Sequence, residues 1–295
     1  MRIADNIYLV ECPWSRPGYF VSSCVIARKN IIIVDAGVEE TPKIAIYPYI
    51  GNLGRKSSEI SHLLLTHAHF DHCGGAAPLK EETKCRLGVH EFGEPFLREP
   101  NPLINQLSKR FPTLFSKGEA AFKPASADIL FKDNDLIDID GVRLRILHTP
   151  GHSVCSSCII EEEEGVYICG DSAQGRGENR PLLFHSSVEY IESMHRLLKE
   201  PVKTLVIGHP FPPFGKAVLR GEEAKEHVRQ SLRAIEDLNR LVLETLKSLA
   251  KPVSLRHLYE KIGVSQPVTV GCVLEDLERE GIVERVDVDL WALSV

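Results

Sequence analysis

The sequence predicts an α/β protein with a β-rich body over residues 1–220 and a smaller, mainly helical region over residues 221–295. Three observations support this prediction. Short apolar runs typical of buried strands recur through the body, with helical spacing between several of them. The composition changes to one long amphipathic helix after residue 221. Finally, four of the apolar runs end at a side chain that can ligate a metal ion: His67, His152, Asp171 and His209.

The overall composition is that of a soluble globular protein, with 43% hydrophobic and 26% charged residues among 295. The net charge of −6 gives no general attraction to nucleic acid or to an anionic membrane. The sequence contains no run of about 18 apolar residues, so it predicts no transmembrane helix. The first residues show neither the basic stretch nor the apolar core of a signal peptide. We therefore expect a cytoplasmic protein.

The eight cysteines are scattered along the chain. Without a secretory signal, we expect buried thiols rather than a disulfide framework. Cys155 and Cys158 form a CxxC pair. A zinc ribbon requires a second such pair, and the sequence contains none. We interpret this pair as structural, with a local redox role as the lesser alternative.

The strands of the body are predicted from β-rich or wholly apolar runs bounded by turn residues. In order, these runs cover residues 3–10, 20–27, 31–34, 63–65, 86–89, 142–147, 158–160, 166–171 and 204–209. The run at 31–34 is wholly apolar, as in a strand covered on both faces. Helices are predicted within residues 41–58 and at 188–199.

Residues 92–127 interrupt this regular pattern. Prolines such as Pro95 and Pro102 are expected to break any helix there, although apolar residues recur at helical spacing over residues 103–115. An excursion of this length commonly forms a lid or a substrate wall. His90, at the preceding strand end, is interpreted as a hydrogen-bonding residue rather than a ligand.

In the C-terminal region, one face of a long helix is marked by apolar residues at spacings of three and four: Val228, Leu232, Ile235, Leu238, Val242, Leu246 and Leu249. Ser254 is a suitable N-cap for a helix over residues 255–262. A second helix over residues 268–280 ends at Gly281, and two β-type runs after it predict a hairpin. The order helix, turn, helix, hairpin is that of a winged-helix module.

The most informative stretch is Thr66-His67-Ala68-His69-Phe70-Asp71-His72-Cys73-Gly74-Gly75, which follows a buried apolar run. His67 and His69 can project to one side of an extended segment, whereas Asp71 and His72 follow a bend and can face a second position. Imidazole and carboxylate groups suit Zn, Fe, Ni or Mn. A single histidine in a loop is commonly solvated, but four such side chains within six residues predict a metal site.

The candidate ligands number seven: His67, His69, Asp71, His72, His152, Asp171 and His209. This set resembles the metallo-β-lactamase superfamily, whose motif is HxHxDH followed by separate His, Asp and His residues. The resemblance covers roughly residues 1–220 and implies an αββα sandwich with a dinuclear centre at one sheet edge. It implies a first metal site formed by His67, His69 and His152. It implies a second site formed by Asp71, His72 and His209, with Asp171 bridging the two.

By the same resemblance, two zinc ions are the expected cofactors, with iron or manganese as alternatives. A metal-bound hydroxide is expected to attack a carbonyl or phosphoryl centre. Asp71 is the expected catalytic residue, because it can orient the nucleophile and carry a proton to the leaving group. Asp35 either hydrogen-bonds a ligand imidazole or caps a turn. Cys73 is interpreted as a small buried thiol rather than as a nucleophile.

The C-terminal region adds a less specific resemblance, to a β-lactamase-like subgroup that includes a mitochondrial single-strand endoribonuclease. Its supporting stretches are Gly208-His209-Pro210, Arg220-Gly221-Glu222 and the closing helix and hairpin. Charge argues against RNA binding, because residues 222–295 contain 14 acidic and 10 basic residues, and residues 268–280 contain four and one. We expect this region to pack on the body or to form a homodimer, with nucleic acid as the less favoured partner.

Three functions stay open. The favoured one is hydrolysis of a small ester, thioester or lactone. A phosphodiesterase or single-strand endoribonuclease is supported by the domain order and opposed by the charge. A mononuclear iron persulfide dioxygenase has a similar ligand set, whereas the flavin-linked diiron branch usually places Glu where this chain has His69. Three residues on loops are candidates for positions bordering the site: Tyr19, Arg176 and His185. No sequence pattern identifies the substrate.

Overall fold

The computed structural model describes residues 1–15, 17–99, 101–116 and 122–294. Its strands are β1 (Arg2–Ala4), β2 (Ile7–Pro13), β3 (Phe20–Ala27), β4 (Ile31–Val34), β5 (Ile60–Leu64), β6 (Arg86–His90), β7 (Ile129–Phe131), β8 (Leu136–Ile139), β9 (Val142–His148), β10 (Ser157–Glu161), β11 (Val166–Ile168), β12 (Thr204–Val206), β13 (Val218–Arg220), β14 (Val253–Ser254), β15 (Val283–Asp287) and β16 (Leu290–Leu293). Its α-helices are α1 (Tyr47–Asn52), α2 (Phe70–Cys73), α3 (Ala76–Thr83), α4 (Glu94–Arg98), α5 (Pro102–Arg110), α6 (Ser187–Lys199), α7 (Glu222–Leu249), α8 (Leu255–Ile262) and α9 (Pro267–Arg279). A π-helical turn (Pro42–Ile46) precedes α1, and 3-10 turns lie at Ser57–Glu59, Glu91–Gly93 and Gly170–Ser172.

Two sheets form the body. The first contains β1 to β7 in sequential order, with antiparallel neighbours from β1 to β4 and parallel neighbours from β4 to β7. The second has the order β13-β12-β11-β10-β9-β8. It is antiparallel except for the parallel pair β11 and β12. The predicted α/β class is therefore confirmed.

Strand β4 explains how the layers form. Ile31 and Ile33 belong to a hydrophobic cluster that includes buried residues of α1 and α3. Ile32 and Val34 belong to a second cluster, which includes residues of β9, β10, α6 and α7. Because successive strand side chains point to opposite faces, β4 is covered on both sides. The layers are helices, sheet, sheet and helices, which is the αββα sandwich that the resemblance implies.

The segment over residues 92–127 is more helical than the sequence predicts. Pro95 and Pro102 stand in the first turns of α4 and α5. A proline N–H is not needed there, and the fixed φ angle favours the helix. The expectation that these two prolines break helices is therefore wrong. Parts of this segment, residue 100 and residues 117–121, lie outside the described residues.

The C-terminal region follows the predicted order of elements, and β14, β16 and β15 form a small third sheet. The apolar face of α7 is buried, and Ser254 caps α8 by accepting a hydrogen bond from His257 N at 3.3 Å. Residues of α7, α8 and α9 join the same hydrophobic cluster as the second sheet. The winged-helix assignment and the domain boundary at residue 220 stay predictions. None of the described helices is long and apolar enough to cross a membrane.

Candidate metal centre

The seven predicted ligands come together, buried, at one rim of the sandwich. Each lies just past the end of a strand: His67, His69, Asp71 and His72 past β5, His152 past β9, Asp171 past β11 and His209 past β12. The carboxyl ends of strands are where open α/β sheets place ligand sites. Several of the predicted strands end earlier than expected, at Ile168 and Val206 for example. The ligands therefore stand on short loops and turns that the sheet positions.

The ligand atoms form two neighbouring triads. The first consists of ring nitrogens of His67, His69 and His152, which all lie within 4.8 Å of one another. The second consists of Asp71, His72 and His209, whose ligand atoms meet the same distance limit. Since each triad combines residues from separate loops, only the tertiary fold assembles it.

Asp171 lies between the triads and reaches both. Its Oδ2 atom is 3.6 Å from His152 Nε2. Its Oδ1 atom is 3.4 Å from His72 Nε2 and 3.7 Å from His209 Nε2. One carboxylate oxygen thus faces each triad, which is the arrangement a bridging ligand needs.

Five polar atoms at this rim are buried without a hydrogen-bond partner: Nε2 of His67, His69, His72 and His152, and Oδ1 of Asp171. Leaving a buried polar atom unpaired costs about 1–3 kcal/mol. Unpaired nitrogen and oxygen atoms that converge on two neighbouring positions are the chemistry that divalent cations satisfy. The residues present therefore fit a metal centre.

Hydrogen bonds from the Nδ1 atoms fix three of the ligand rings. His152 Nδ1 donates to the carbonyl of Leu182 at 2.7 Å, and His209 Nδ1 donates to the carbonyl of Phe20 at 2.8 Å. His72 Nδ1 lies 2.9 Å from Asp35 Oδ2. A proton on Nδ1 leaves the lone pair on Nε2, and this tautomer is the one suited to bind a metal.

Asp35 does more than cap a turn. Besides His72, its carboxylate accepts hydrogen bonds from Thr66 N at 2.8 Å and from Thr66 Oγ1 at 2.7 Å. Thr66 Oγ1 in turn lies 3.1 Å from His67 Nδ1. Of the two interpretations the sequence leaves open, contact with a ligand imidazole is the one observed. Through Thr66, Asp35 supports the first triad as well as the second.

Burial sets the protonation of the first triad. Burial and the neighbouring imidazoles lower the pKa of His67 well below its usual value. Burial, together with the adjacent His152 ring, lowers the pKa of His69 to about 3. Burial also lowers the pKa of His152. Neutral imidazoles result at physiological pH, and only the neutral ring can ligate a metal.

The two ligand carboxyl groups have the opposite tendency. Burial acts to raise the pKa of Asp171, but the surrounding imidazoles outweigh it and hold the pKa well below its usual value. Burial likewise acts to raise the pKa of Asp71, and His72 and His209 hold it below its usual value. Both groups are therefore ionised, which supplies negative charge for bound cations.

Gly208 has no room for a side chain. A Cβ atom at this position would collide with Asp171 Oδ1 and would approach His72 Cε1 to 2.8 Å. The glycine in the GH sequence before His209 therefore allows the carboxylate to reach both triads. The sequence gives no sign of this role, because Gly208 is marked there only as part of the stretch Gly208-His209-Pro210.

The C-terminal helix α9 holds the loop that orients His152. Thr269 Oγ1 accepts a hydrogen bond from Leu183 N at 3.0 Å and donates to the carbonyl of Pro181 at 3.3 Å. Leu182, between these two residues, supplies the carbonyl that binds His152 Nδ1. The adjacent Phe184 packs its ring 5.1 Å from the ring of His69 and 5.5 Å from that of His152.

Asp276 fixes the next residues of the same loop. Its buried carboxylate accepts hydrogen bonds from Ser187 N at 2.6 Å, Ser187 Oγ at 2.7 Å and Val188 N at 3.2 Å. Ser186 Oγ donates to it at 3.1 Å. These groups form the N-terminus of α6, where a negative charge is favoured by the unpaired N–H groups and the helix dipole. Hydrogen bonds from helix α9 therefore fix this loop at residues 181–183 and again at residues 186–188.

Aromatic side chains border the second triad. The ring of Tyr19, which was a candidate, stacks on His209 with centroids 5.1 Å apart and planes 7° from parallel. Trp14, which was not, lies 5.3 Å from the same imidazole and 6.1 Å from Phe70. No local motif marks Trp14, because its position at the site depends on contact with His209, which follows β12 nearly 200 residues later.

A narrow apolar pocket opens beside the first triad. Its lining includes Ala68, Phe96, Leu103, Val154 and Phe184, together with the loop candidate His185. Residues 96 and 103 belong to α4 and α5, so the irregular segment does supply a wall next to the ligands. Arg176, the third loop candidate, instead forms an exposed ion pair with Asp237 at 2.7 Å.

The other residues that the sequence analysis weighed have structural positions. His90 Nδ1 accepts a hydrogen bond from Phe92 N at 3.3 Å, as predicted for a strand end. All eight cysteines are buried and free, including the CxxC pair. Burial and the nearby Asp71 raise the pKa of Cys73 well above its usual value, so its thiol is not ionised at neutral pH.

Comparison with known proteins identifies a family. The profile of the metallo-beta-lactamase superfamily matches residues 16–209. The chain is 30% identical over 205 residues to an atrochrysone carboxyl ACP thioesterase of Aspergillus fumigatus, covering 68% of this chain and 40% of the relative. It is 30% identical over 148 residues to a hydroxyacylglutathione hydrolase of Ectopseudomonas mendocina, covering 50% of this chain and 46% of the relative. The chain thus spans less than half the length of these two relatives.

Solved structures show the same fold. A metallo-beta-lactamase family protein from Thermus thermophilus aligns with a TM-score of 0.75 at 23% identity, over 98% of this chain and 99% of that one. A subclass B3 metallo-beta-lactamase of Bradyrhizobium japonicum aligns with a TM-score of 0.61 at 20% identity, over 84% and 95% of the two chains. The first alignment extends through the C-terminal region.

Proposed function

We propose that this chain, which belongs to the metallo-beta-lactamase superfamily, hydrolyses thioesters of small apolar carboxylic acids at a centre of two zinc ions. The observation that carries the proposal is the pair of triads that share Asp171, with five buried ligand atoms left unpaired. A site with this donor set and this burial is suited to activate water beside a carbonyl group.

The choice of thioesters over esters and lactones rests on the relatives. Both the thioesterase and the hydroxyacylglutathione hydrolase have names that denote cleavage of a carbon–sulfur acyl bond. Because the chain covers less than half of each, their activity supports the proposal without deciding it. The side chains beside His69 and Phe184 are mostly apolar and suit an apolar acyl group, which requires them to move apart because the space between them is about the size of one water molecule.

The donor atoms suit zinc in both sites. Three neutral imidazoles form the first triad, and two imidazoles with a carboxylate form the second. Imidazole nitrogen and carboxylate oxygen are common zinc ligands, and iron and manganese accept the same groups. Zinc is our proposal for both positions, with iron or manganese as the alternatives.

Metal ions bound at the two triads supply Lewis acidity toward the carbonyl oxygen and activate a water molecule. The protein's contribution is to hold the ligands rigid: Asp35 fixes His72, and the carbonyls of Leu182 and Phe20 fix His152 and His209. Phe184 and Trp14 pack against the ligand rings of His69 and His209. Such rigid support is what allows an active site to stabilise the transition state without reorganising.

Asp71 is the group that handles the proton. Its Oδ2 lies 3.2 Å from Nε2 of His209, the other member of the second triad that it contacts most closely. It accepts a proton from the attacking water and delivers it to the leaving sulfur. In the reaction a C–O bond forms, the C–S bond breaks, and the products are a carboxylic acid and a thiol.

The other functions have weaker support. A ribonuclease would use the C-terminal region to bind RNA, but α9 has most of its length buried against the body. A mononuclear iron dioxygenase would fill one triad only, and we favour two ions because the Asp171 carboxylate reaches both triads. We keep the cytoplasm as the proposed location and a small molecule as the proposed substrate, and a homodimer through the C-terminal region as the proposed assembly.

A substrate panel tests the proposal. The zinc-loaded chain is incubated with an S-butyryl thioester of a neutral thiol, the matching oxygen ester, a lactone and single-stranded RNA. We expect the thioester to give the highest kcat/KM, on the order of 10⁴ M⁻¹s⁻¹ or more, and to lose hydrolysis when the metal is removed. Cleavage of RNA with no metal-dependent release of thiol would contradict the proposal.

A further inference from the structure

Arg180 lies beside the metal centre and has no anionic partner among the described residues. Its guanidinium lies over the ring of Phe211, 5.1 Å from the centroid. Nη1 donates to the carbonyl of Asn179 at 3.3 Å, and Nη2 donates to the Tyr19 hydroxyl at 3.4 Å. Since it forms no ion pair with any described residue, its charge is not neutralised within that part of the chain.

Arg176 provides an internal contrast. It stands four residues earlier in the same loop and pairs with Asp237 at 2.7 Å. Asp237 is also paired with Arg240 at 2.7 Å. The neighbouring arginine therefore has a structural partner on α7, whereas the charge of Arg180 is directed elsewhere.

Arg180 is one aromatic ring away from the second triad. Its hydrogen-bond partner Tyr19 stacks on the imidazole of His209 at 5.1 Å. The same arginine lines an open groove whose wall includes Phe20, Pro210 and Phe211. The groove adjoins His209 through Pro210, and a substrate at the metal centre reaches the guanidinium by passing the ring of Tyr19.

The two sides of the metal centre differ in character. Beside His69, the pocket is narrow and lined mostly by apolar side chains. On the His209 side, the groove is wider and more polar, and it contains Arg180. The exposed Glu178 also borders this groove, but it makes no ion pair with Arg180. A substrate that spans the centre therefore needs an apolar part for the pocket and a part that can bind the Arg180 cation in the groove.

We propose that Arg180 binds an anionic group, a carboxylate or a phosphate, on the thiol part of the substrate. This inference rests on the proposed thioester hydrolysis, which places the apolar acyl group on the His69 side. A guanidinium that already stacks on Phe211 is held in place to form a bidentate contact with such a group. Arg180 is then a specificity-determining residue and leaves the chemical step to the ligands and Asp71.

Three S-butyryl thioesters of similar length test this assignment. Their thiols end in a carboxylate, a phosphate or an uncharged amide, and kcat/KM is measured for wild type, Arg180→Gln, Arg180→Lys and Arg176→Gln. We expect wild type to prefer at least one anionic thiol over the amide by about tenfold or more. The carboxylate and phosphate arms identify which anion is bound.

The variants separate specificity from general damage. Arg180→Gln should abolish the preference through a higher KM for the anionic substrate while keeping hydrolysis of the amide near wild type. Arg180→Lys should restore part of the preference, and Arg176→Gln should leave it intact. Equal hydrolysis of all three thioesters by wild type, or a preference that survives Arg180→Gln, overturns the assignment. Failure to hydrolyse any of them with metal bound refutes the proposed function instead, and the assignment with it.

Discussion

The segment over residues 66–75 and the helix α9 both serve one metal centre, but they do so by different routes. The first carries four ligands within six residues, so its chemistry can be recognised from the sequence. Helix α9 touches none of the triads directly and acts through hydrogen bonds to the loop around Leu182. Four of the seven candidate ligands can therefore be recognised from one local motif, whereas the contacts that orient the loop join residues about 90 positions apart in the chain.

The acidic character of α9 has a structural explanation in this comparison. Asp276 caps the N-terminus of α6, and Glu275 pairs with Arg110 at 2.6 Å and with Arg285 at 3.2 Å. Arg110 also donates to the carbonyl of His185 at 3.2 Å. Two of the acids that argue against nucleic-acid binding are therefore occupied in holding the active-site loop.

The largest effect is expected within the local motif. Asp71→Asn removes the group that accepts and delivers the proton and replaces a charged ligand by a neutral one. We expect kcat/KM for thioester hydrolysis to fall by about 10²- to 10⁴-fold. The assay is release of thiol at saturating zinc, with metal content measured in each preparation. Activity of Asp71→Asn close to wild type would show that proton transfer does not depend on this residue.

A smaller effect is expected at α9. Asp276→Ala leaves the donors of Ser186, Ser187 and Val188 without their acceptor, which costs about 1–3 kcal/mol of folding free energy. Because the loop then loses its clamp, zinc affinity and kcat/KM should fall together, by about tenfold. Zinc affinity is measured by chelator competition, at a temperature where circular dichroism shows the variant to be folded.

The matched control for this experiment is Glu278→Ala on the same helix. Glu278 is exposed, so the variant has the same charge change without the buried contacts. It should retain wild-type zinc affinity and activity. If Asp276→Ala is less stable but keeps both properties, α9 only stabilises the fold and the comparison between direct and indirect support fails.

The candidate ligands that the sequence predicts lie together in the structure, whereas most of the groups that support them were not predicted. His152, Asp171 and His209 were found because each follows a β-type run, and strand ends converge at one rim. The carbonyls of Leu182 and Phe20 could not be found, since every residue has a carbonyl and none is marked by its side chain. Pro95 and Pro102 misled the prediction because the same residue type breaks a helix interior and starts a first turn.

The burial and charge of the C-terminal region predict that it binds nucleic acid weakly. Helix α9 is buried over most of its length, and its region carries excess negative charge. We expect no submicromolar binding of single-stranded RNA at about physiological salt. The check is a fluorescence anisotropy titration. Tight binding that weakens steeply with salt would give the C-terminal region an RNA-binding role and favour the ribonuclease.

The smallest effect is expected at Cys73, the neighbour of His72 in the motif. Its buried thiol is protonated at neutral pH and is not needed as a nucleophile when water attacks. Cys73→Ala should therefore retain kcat/KM within about threefold of wild type, with some loss of stability from the small cavity. An inactive variant that still holds its metal ions would argue for a covalent intermediate on the thiol.

The number of bound metal ions decides whether both triads are occupied, on which the proposed hydrolysis depends. Protein purified without chelators and saturated with zinc is analysed by elemental mass spectrometry, for wild type and for His209→Ala. A dinuclear centre predicts two zinc ions per chain in wild type. It predicts a loss confined to the second site in His209→Ala, which retains one ion. A saturated wild type with one ion per chain, and no change in His209→Ala, would contradict the dinuclear centre.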